Sequence, residues 1–218
     1  MEMNERWMLI VDMEPFIVNG EYLPMLARYS RKEKEIDEIT RRGLNGSINW
    51  TEGLKLRIEK LRGIPEHYAW KVANEIPYNK GIRELFKLAK ELNFITVVVT
   101  GAFDNVANRI QQELGIDYVF SNELIFNDGY LKNVKINVDD QKEKQVLEVA
   151  KKENIPKERR IGVADGANDL GFLRECGFPV ACGPVSKKLQ EEVRVVIKDP
   201  TELIPIIKNL HNYVLRKY

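Results

Sequence analysis

Cysteine is scarce in this chain: two in 218 residues, Cys176 and Cys182, at a spacing that fits neither a metal-binding pattern nor a secreted disulfide framework. Each falls in or beside an apolar run, which points to buried free thiols and a reducing compartment. Histidine is equally sparse, and His67 and His211 match no motif; both read as structural or surface residues. Net charge is almost absent, with 34 Lys and Arg against 33 Asp and Glu, a formal +1. No global field therefore favours nucleic acid or an anionic membrane surface. Long apolar runs are missing too. Nothing approaches the roughly 18 residues of a membrane span, and the opening MEMNERWMLIVD has no basic n-region and too short an apolar run for a signal peptide. The expectation is a cytoplasmic protein with neither membrane nor nucleic acid as a partner.

What is present is the profile of a soluble globular chain, 44% hydrophobic and 31% charged, long enough for one sizeable core and a modest insertion. Trp7 to Val11 is a short apolar run that ends in two carboxylates, Asp12 and Glu14, as a buried parallel strand would. From Phe16 to about Ile76 helical spacing recurs without a convincing strand. Tyr22, Met25, Leu26 and Tyr29 share one helix face, Leu54 to Leu61 suggest a second helix, and Pro65-Glu66 opens a third. The densely charged stretch 31–42 reads as a solvated helix face.

After Pro77 and Gly81, helices alternate with apolar, β-branched runs. The predicted strands are Phe94–Val99, Tyr118–Phe120, Arg160–Ala164, Phe178–Ala181 and Arg194–Ile197, with a hairpin turning at Asn127-Asp128-Gly129. Helices are expected over Ile82–Leu92, Asn105–Leu114 and Lys142–Lys152, from Asp169 to Cys176, and from Thr201 on. Such alternation predicts an α/β fold: a three-layer α/β/α, Rossmann-like core with a mostly parallel sheet. A small all-helical cap, residues 16–76, is inserted after the first strand, leaving 1–15 and 77–218 as the core.

Three of these strands end in polar groups of distinct types. The first gives Asp12 and Glu14, the second Thr100-Gly101, and the fourth Asp165 and Asp169. In a parallel sheet those carboxyl ends share one edge, where open α/β sheets bind ligands. Four carboxylates in one crevice would repel strongly without a cation, and hard oxygen ligands suit Mg²⁺. A hydroxyl and a glycine amide can cradle phosphate oxygens. Several lysines around residue 142 are available to balance a phosphate dianion. Together these are the parts of phosphoryl transfer.

The residues Asp12-Met13-Glu14, Thr100-Gly101, Lys142 and Ala164-Asp165-Gly166-Ala167-Asn168-Asp169 resemble, in that order, the motifs of the haloacid dehalogenase superfamily of phosphatases, most of all its phosphoserine phosphatase branch. The similarity covers nearly the whole chain. It implies that Asp12 attacks phosphorus and becomes an aspartyl-phosphate, and that Glu14 is the general acid and base. It also implies Mg²⁺ on the Asp12 carboxylate, the Glu14 main-chain carbonyl and Asp165, with Asp169 binding metal-bound water or orienting Lys142. Thr100, Gly101, Lys142 and Asn168 would hold the phosphate. Within the cap, Glu21 would bind a substrate amino group, Arg57 its carboxylate, and Trp50 would close the pocket. The implied partner is a small phosphorylated metabolite, first of all L-phosphoserine, acted on by a monomer or homodimer.

Four departures accompany the resemblance. Glu14 replaces the family's aspartate, Phe16 a threonine, and Ala164 the first glycine of the last motif; Pro15 stiffens the turn. The extra methylene of Glu14 moves its carboxyl by roughly one bond length, and ~1 Å of misplacement can cost about a hundredfold in rate. Reduced or retuned activity is therefore expected. Two alternatives stay open: a weakly active or inactive protein that binds a phosphorylated metabolite, and a phosphotransferase that passes the phosphoryl group to another alcohol. A response-regulator receiver domain is disfavoured by the position of the attacking aspartate, the helical insertion and the length.

Overall fold

A computed structural model describes residues 6–44, 47–183, 185 and 187–215; the side chain of His211 lies outside the described residues. Strand β1 (Met8–Val11) is followed by four helices: α1 (Tyr22–Ala27), α2 (Glu33–Leu44), α3 (Trp50–Leu61) and α4 (Glu66–Glu75). Alternation then sets in, with α5 (Ile82–Glu91), β2 (Ile95–Phe103), α6 (Asp104–Leu114), β3 (Tyr118–Asn127), β4 (Tyr130–Lys135) and α7 (Glu143–Lys152). The chain ends with β5 (Arg160–Ala164), α8 (Leu170–Arg174), β6 (Phe178–Cys182), α9 (Lys187–Glu192), β7 (Val195–Ile197) and α10 (Leu203–Leu215).

The seven strands form one sheet in the order β4-β3-β2-β1-β5-β6-β7, parallel except for β4. β1 is central, pairing Val11 with Val98 on one side and with Val163 on the other. Its alternation divides the core. Trp7, Leu9 and Val11 pack with residues of α5, α6 and α10, while Met8 and Ile10 pack with those of α7 and α8. Burial on both faces explains why β1 reads as a continuous apolar run. The three-layer, mostly parallel architecture expected from the sequence is what the chain adopts.

Local differences have identifiable causes. β2 does not stop at Val99 but runs on to Phe103, because Phe103 pairs with Asn122 after an irregularity in the ladder. The predicted strand at Tyr118 and the first arm of the hairpin are one ten-residue strand, β3. Its first half pairs with β2 and its second half with β4. Ser121 and Asn122 look like a break in the sequence, yet Asn122 is fully buried and its side chain is fully employed there. The hairpin turn is the expected one, with Asp128 and Gly129 both at positive φ, as a two-residue type I′ turn requires. α9 was not anticipated. Lys142 caps α7 instead of lying within it.

The charged stretch 31–42 does form most of a helix, α2, but not one that is solvated throughout, since Ile36 and Thr40 are buried. Helices α1 to α4 and their links meet the rest of the chain at several places. Tyr22 donates to Ala69 O at 3.0 Å, and Asn105 of α6 reaches both groups. The link between α3 and α4 zips against the hairpin: Gly63 N donates to Leu131 O at 2.9 Å and Leu131 N to Ile64 O at 2.8 Å.

Candidate active site

The carboxyl ends of β1, β2 and β5 lie side by side at the centre of the sheet, as their register requires. Asp12 leaves β1 still tied to the neighbouring strand β5, its amide donating to Val163 O at 3.2 Å. Both carboxylate oxygens are occupied: Oδ1 accepts from Met13 N at 2.6 Å and Oδ2 from Lys142 Nζ at 2.7 Å. Behind it, Met13, Phe16, Ile17 and Val18 are buried and anchor the turn. Phe16, which stands where the resembling family has threonine, serves here as core.

Lys142 arrives from the loop before α7 and is almost wholly buried, an expensive place for an ammonium without partners. It has two, Asp12 and, at 2.6 Å, Asp169 Oδ1. Burial lowers its pKa, but the two carboxylates outweigh that effect and hold it above the ordinary lysine value. Asn122 ties the same loop to β2. Its Nδ2 donates to Gly101 O at 2.9 Å, and its Oδ1 accepts from Asn137 N and Val138 N, both at 2.9 Å. Thr100 is buried at the end of β2 with Oγ1 accepting from Ala102 N. Asn168 donates to Asp169 Oδ1 at 3.3 Å, and Gly166 has no room for a side chain, since a Cβ there would meet Asn168 Oδ1 at 2.2 Å.

One cavity, with about 40 Å³ of free volume, collects Asp12, Glu14, Thr100, Gly101, Lys142, Asp165 and Asn168 from the core with Glu21, Trp50 and Arg57 from the cap. Asp169 lies directly behind it on Lys142. Leu23, Leu54, Ala102 and Phe103, apolar positions with no sign of a site in the sequence, complete the wall. Arg57 is held within the cap, donating from Nε to Gly53 O at 3.3 Å and from Nη1 to Thr40 Oγ1 at 3.2 Å. Its guanidinium lies 4.5 Å from the Trp50 ring centroid. Thr40 escaped the sequence reading because it sits among charges.

The start of α3 is fastened to the core as well. Asn49 caps the helix by accepting from Glu52 N at 3.1 Å, and its amide bonds Asp140; Thr51 Oγ1 also reaches Asp140, at 3.3 Å. The Asn49-x-x-Glu52 spacing is a visible capping signature. The partnership with Asp140, 91 residues away, has none.

Glu14 is half-buried beside Glu21, and its buried Oε1 has no hydrogen-bond partner among the described residues. Burial first, then the charges of Glu21 and Asp12, raise Glu14 well above the ordinary carboxylate range, against the Tyr22 backbone and Arg57. Burial and Asp12 raise Glu21 as well. The protonated form of the second acid in the Asp12-x-Glu14 pair is thus favoured relative to an ordinary carboxylate, by burial and by its acidic neighbours.

On the other side of Asp12, Asp165 and Asp169 bring carboxylate oxygens within 4.8 Å of one another and of Asp12, and Asp169 Oδ2 is buried without a partner. Burial, then Asp169 and Asp12, push Asp165 up to about 8; burial also pushes Asp169 up to about 7, against the pull of Lys142. Three carboxylates facing one lysine, with an orphaned oxygen among them, are a donor set that fits a hard divalent cation.

These shifts predict how metal-free protein responds to pH. In the unfolded chain the same carboxyls titrate near ~3.9. Between about pH 4 and pH 8 the native state therefore holds protons that the unfolded chain has released, and stability falls as pH rises. Melting of chelator-treated protein should drop by on the order of 10 °C from pH 5 to pH 8. A divalent cation should raise Tm more at pH 8 than at pH 5. A flat profile would refute the crowding of these carboxyls.

Among the described residues no helix is long and apolar enough to cross a membrane. The sequence profile of haloacid dehalogenase-like hydrolases matches residues 25–174. The phosphoserine phosphatase of Methanocaldococcus jannaschii is 31% identical over 205 residues, covering 92% of this chain and 97% of its own. Two solved structures, described as a phospho-aspartyl intermediate analogue of phosphoserine phosphatase and as a substrate-bound phosphoserine phosphatase complex, superpose with TM-scores of 0.87 and 0.88. Both are 29% identical to this chain and cover 93% of it, and it covers 99% of each.

Proposed function

Because the chain belongs to the family of haloacid dehalogenase-like hydrolases, we propose that it is a Mg²⁺-dependent phosphomonoester hydrolase acting through an aspartyl-phosphate on Asp12. L-phosphoserine, or a similar small phosphorylated metabolite, is its substrate. One observation carries this reading. A single small cavity has Asp12 and Lys142 at the sheet and Glu21 and Arg57 at the cap, the two halves that a phosphorylated amino acid needs. The phosphoserine phosphatases similar to this chain in sequence and structure support the same substrate class.

Each residue's work follows from its placement. Lys142, the Thr100 hydroxyl, the Gly101 amide and Asn168 bind the phosphoryl oxygens, and Lys142 and Met13 N fix the direction in which Asp12 presents its carboxylate. Asp12 attacks phosphorus as the ester oxygen leaves, and that oxygen takes the Glu14 proton. The Glu14 carboxylate then accepts a proton from the water that displaces phosphate from Asp12, which restores both residues. Arg57 suits a substrate carboxylate and Glu21 an ammonium. Mg²⁺ would be held by Asp12, the Glu14 main-chain carbonyl and Asp165, with Asp169 behind them; when bound it offsets the crowded carboxylates and draws charge from the phosphoryl group. We place the protein in the cytoplasm, where free thiols such as Cys176 and Cys182 persist, acting as a monomer or homodimer with residues 16–76 as its cap.

Phosphate release from a panel of small phosphate esters with Mg²⁺ tests the reading. Turnover should be highest with phosphorylated amino acids and should vanish with chelator; a panel with no release would end it. Added alcohols such as homoserine should not appear as phosphorylated products, which would mark a phosphotransferase. The contact of Glu14 with Glu21 also supports a second reading, a protein that binds a phosphorylated metabolite with little turnover. Binding by the native chain, with turnover appearing only after Glu14→Asp, would establish that one.

A further inference from the structure

Trp50 lies across the end of β2, where a Cβ built on Gly101 would stand 2.7 Å from the indole Nε1. That nitrogen is buried and has no hydrogen-bond partner. An orphaned buried donor is costly unless something completes it. The ring cannot readily turn away. Arg57 covers one face, and a Cβ on Gly43 would meet ring carbon Cε3 at 3.0 Å. Asn49 and Thr51 hold the helix start against Asp140. The indole lines the same cavity as Thr100, Gly101 and Lys142. Of the other indoles, Trp7 also has an unpartnered Nε1, but it precedes β1 at the opposite edge of the sheet and packs on Phe94; Trp70 donates to Glu66.

We propose that the Trp50 indole N–H donates a hydrogen bond to an oxygen of the bound phosphoryl group, so that the cap contributes a donor to a group otherwise held by the core. This rests on the reading that phosphate sits at Thr100, Gly101 and Lys142. It differs from an aromatic lid, for which any ring would serve. The nitrogen gives the cap a means of sensing the phosphoryl group itself, apart from the alcohol it is attached to.

The test is titration of inorganic phosphate, with Mg²⁺, into the full chain carrying ¹⁵N-labelled indoles, the Trp50 signal being assigned through Trp50→Phe. The Trp50 indole proton should move downfield on saturation while those of Trp7 and Trp70 stay in place. By calorimetry, Trp50→Phe, which keeps a ring beneath Arg57, should bind phosphate about tenfold more weakly. An unmoved indole proton, a Trp50→Phe affinity within about twofold of the native one, or no phosphate binding by the native chain would overturn the proposal. None of these readouts needs turnover. A protein that hydrolyses esters with an unmoved indole keeps the hydrolase reading and loses this one, and a shifted indole without hydrolysis does the reverse.

Discussion

Replacing Asp12 by asparagine should lower kcat for phosphate release by at least about 10⁴-fold, since removing a nucleophile abolishes the covalent route and not merely a contact. The substitution is nearly isosteric, and the site can absorb it. The asparagine oxygen can still accept from Met13 N, and Lys142 keeps Asp169 at 2.6 Å. One of three mutually repelling carboxylates disappears, so metal-free protein should melt no lower than the native chain by more than a few degrees. The Mg²⁺-induced rise in Tm should shrink, because a ligand charge has gone. Rate and melting together make the test specific. A variant retaining a tenth of native activity would remove Asp12 from the chemistry, whereas an inactive variant that also fails to fold would be explained by Lys142 losing a partner.

Glu14→Gln carries the second large effect, and its size should depend on the leaving group. Glu14 is raised above the ordinary carboxylate range by burial and by Glu21, which favours the proton-carrying form that a general acid needs. An alkoxide leaves poorly without a proton, and loss of a positioned general acid costs about 10²–10⁴-fold. With serine-like esters the variant should fall by that amount. With p-nitrophenyl phosphate, whose phenolate needs no proton to leave, the loss should stay below about tenfold in the phosphorylation step. Equal losses on both substrates would show Glu14 acting as a structural or metal-positioning group instead. Glutamine leaves Glu21 its hydrogen-bonding neighbour, so gross repacking of the pocket is not expected to confuse the comparison.

The sequence displays the parts of this protein that are local and hides those made by distant partners. Strand β1 and its acids, the Thr100-Gly101 step and the run from Asp165 to Asp169 are legible because an apolar run ending in polar groups is a pattern within a few residues. Their convergence follows from a parallel sheet alone. The outer elements are less legible. Ser121 and Asn122 look like a break in β3 because nothing nearby announces that Asn122 will be fully bonded to Gly101, Asn137 and Val138. Thr40 and Arg57 look like surface residues of charged helices, and their contact with each other, with the stacking of Arg57 on Trp50, is visible only in the fold. Glu14 shows the opposite case. Its identity is plain in the sequence as an acid one bond too long, but that the extra length meets Glu21 can be read only from the fold.

The cavity's free volume of about 40 Å³ has a kinetic consequence. It admits on the order of three water molecules, far less than a phosphate ester with its amino-acid body. An ester of that size is expected to shift the helices above the sheet as it enters. The contacts joining α3 to Asp140 suit that movement. They lie toward solvent, where water replaces them at small cost, about 0.5–1.5 kcal/mol each. Asp140 is two residues from Lys142, so the contact that fastens α3 and the lysine that meets Asp12 share one short loop. Release of inorganic phosphate is expected to coincide with loosening of α3 from Asp140.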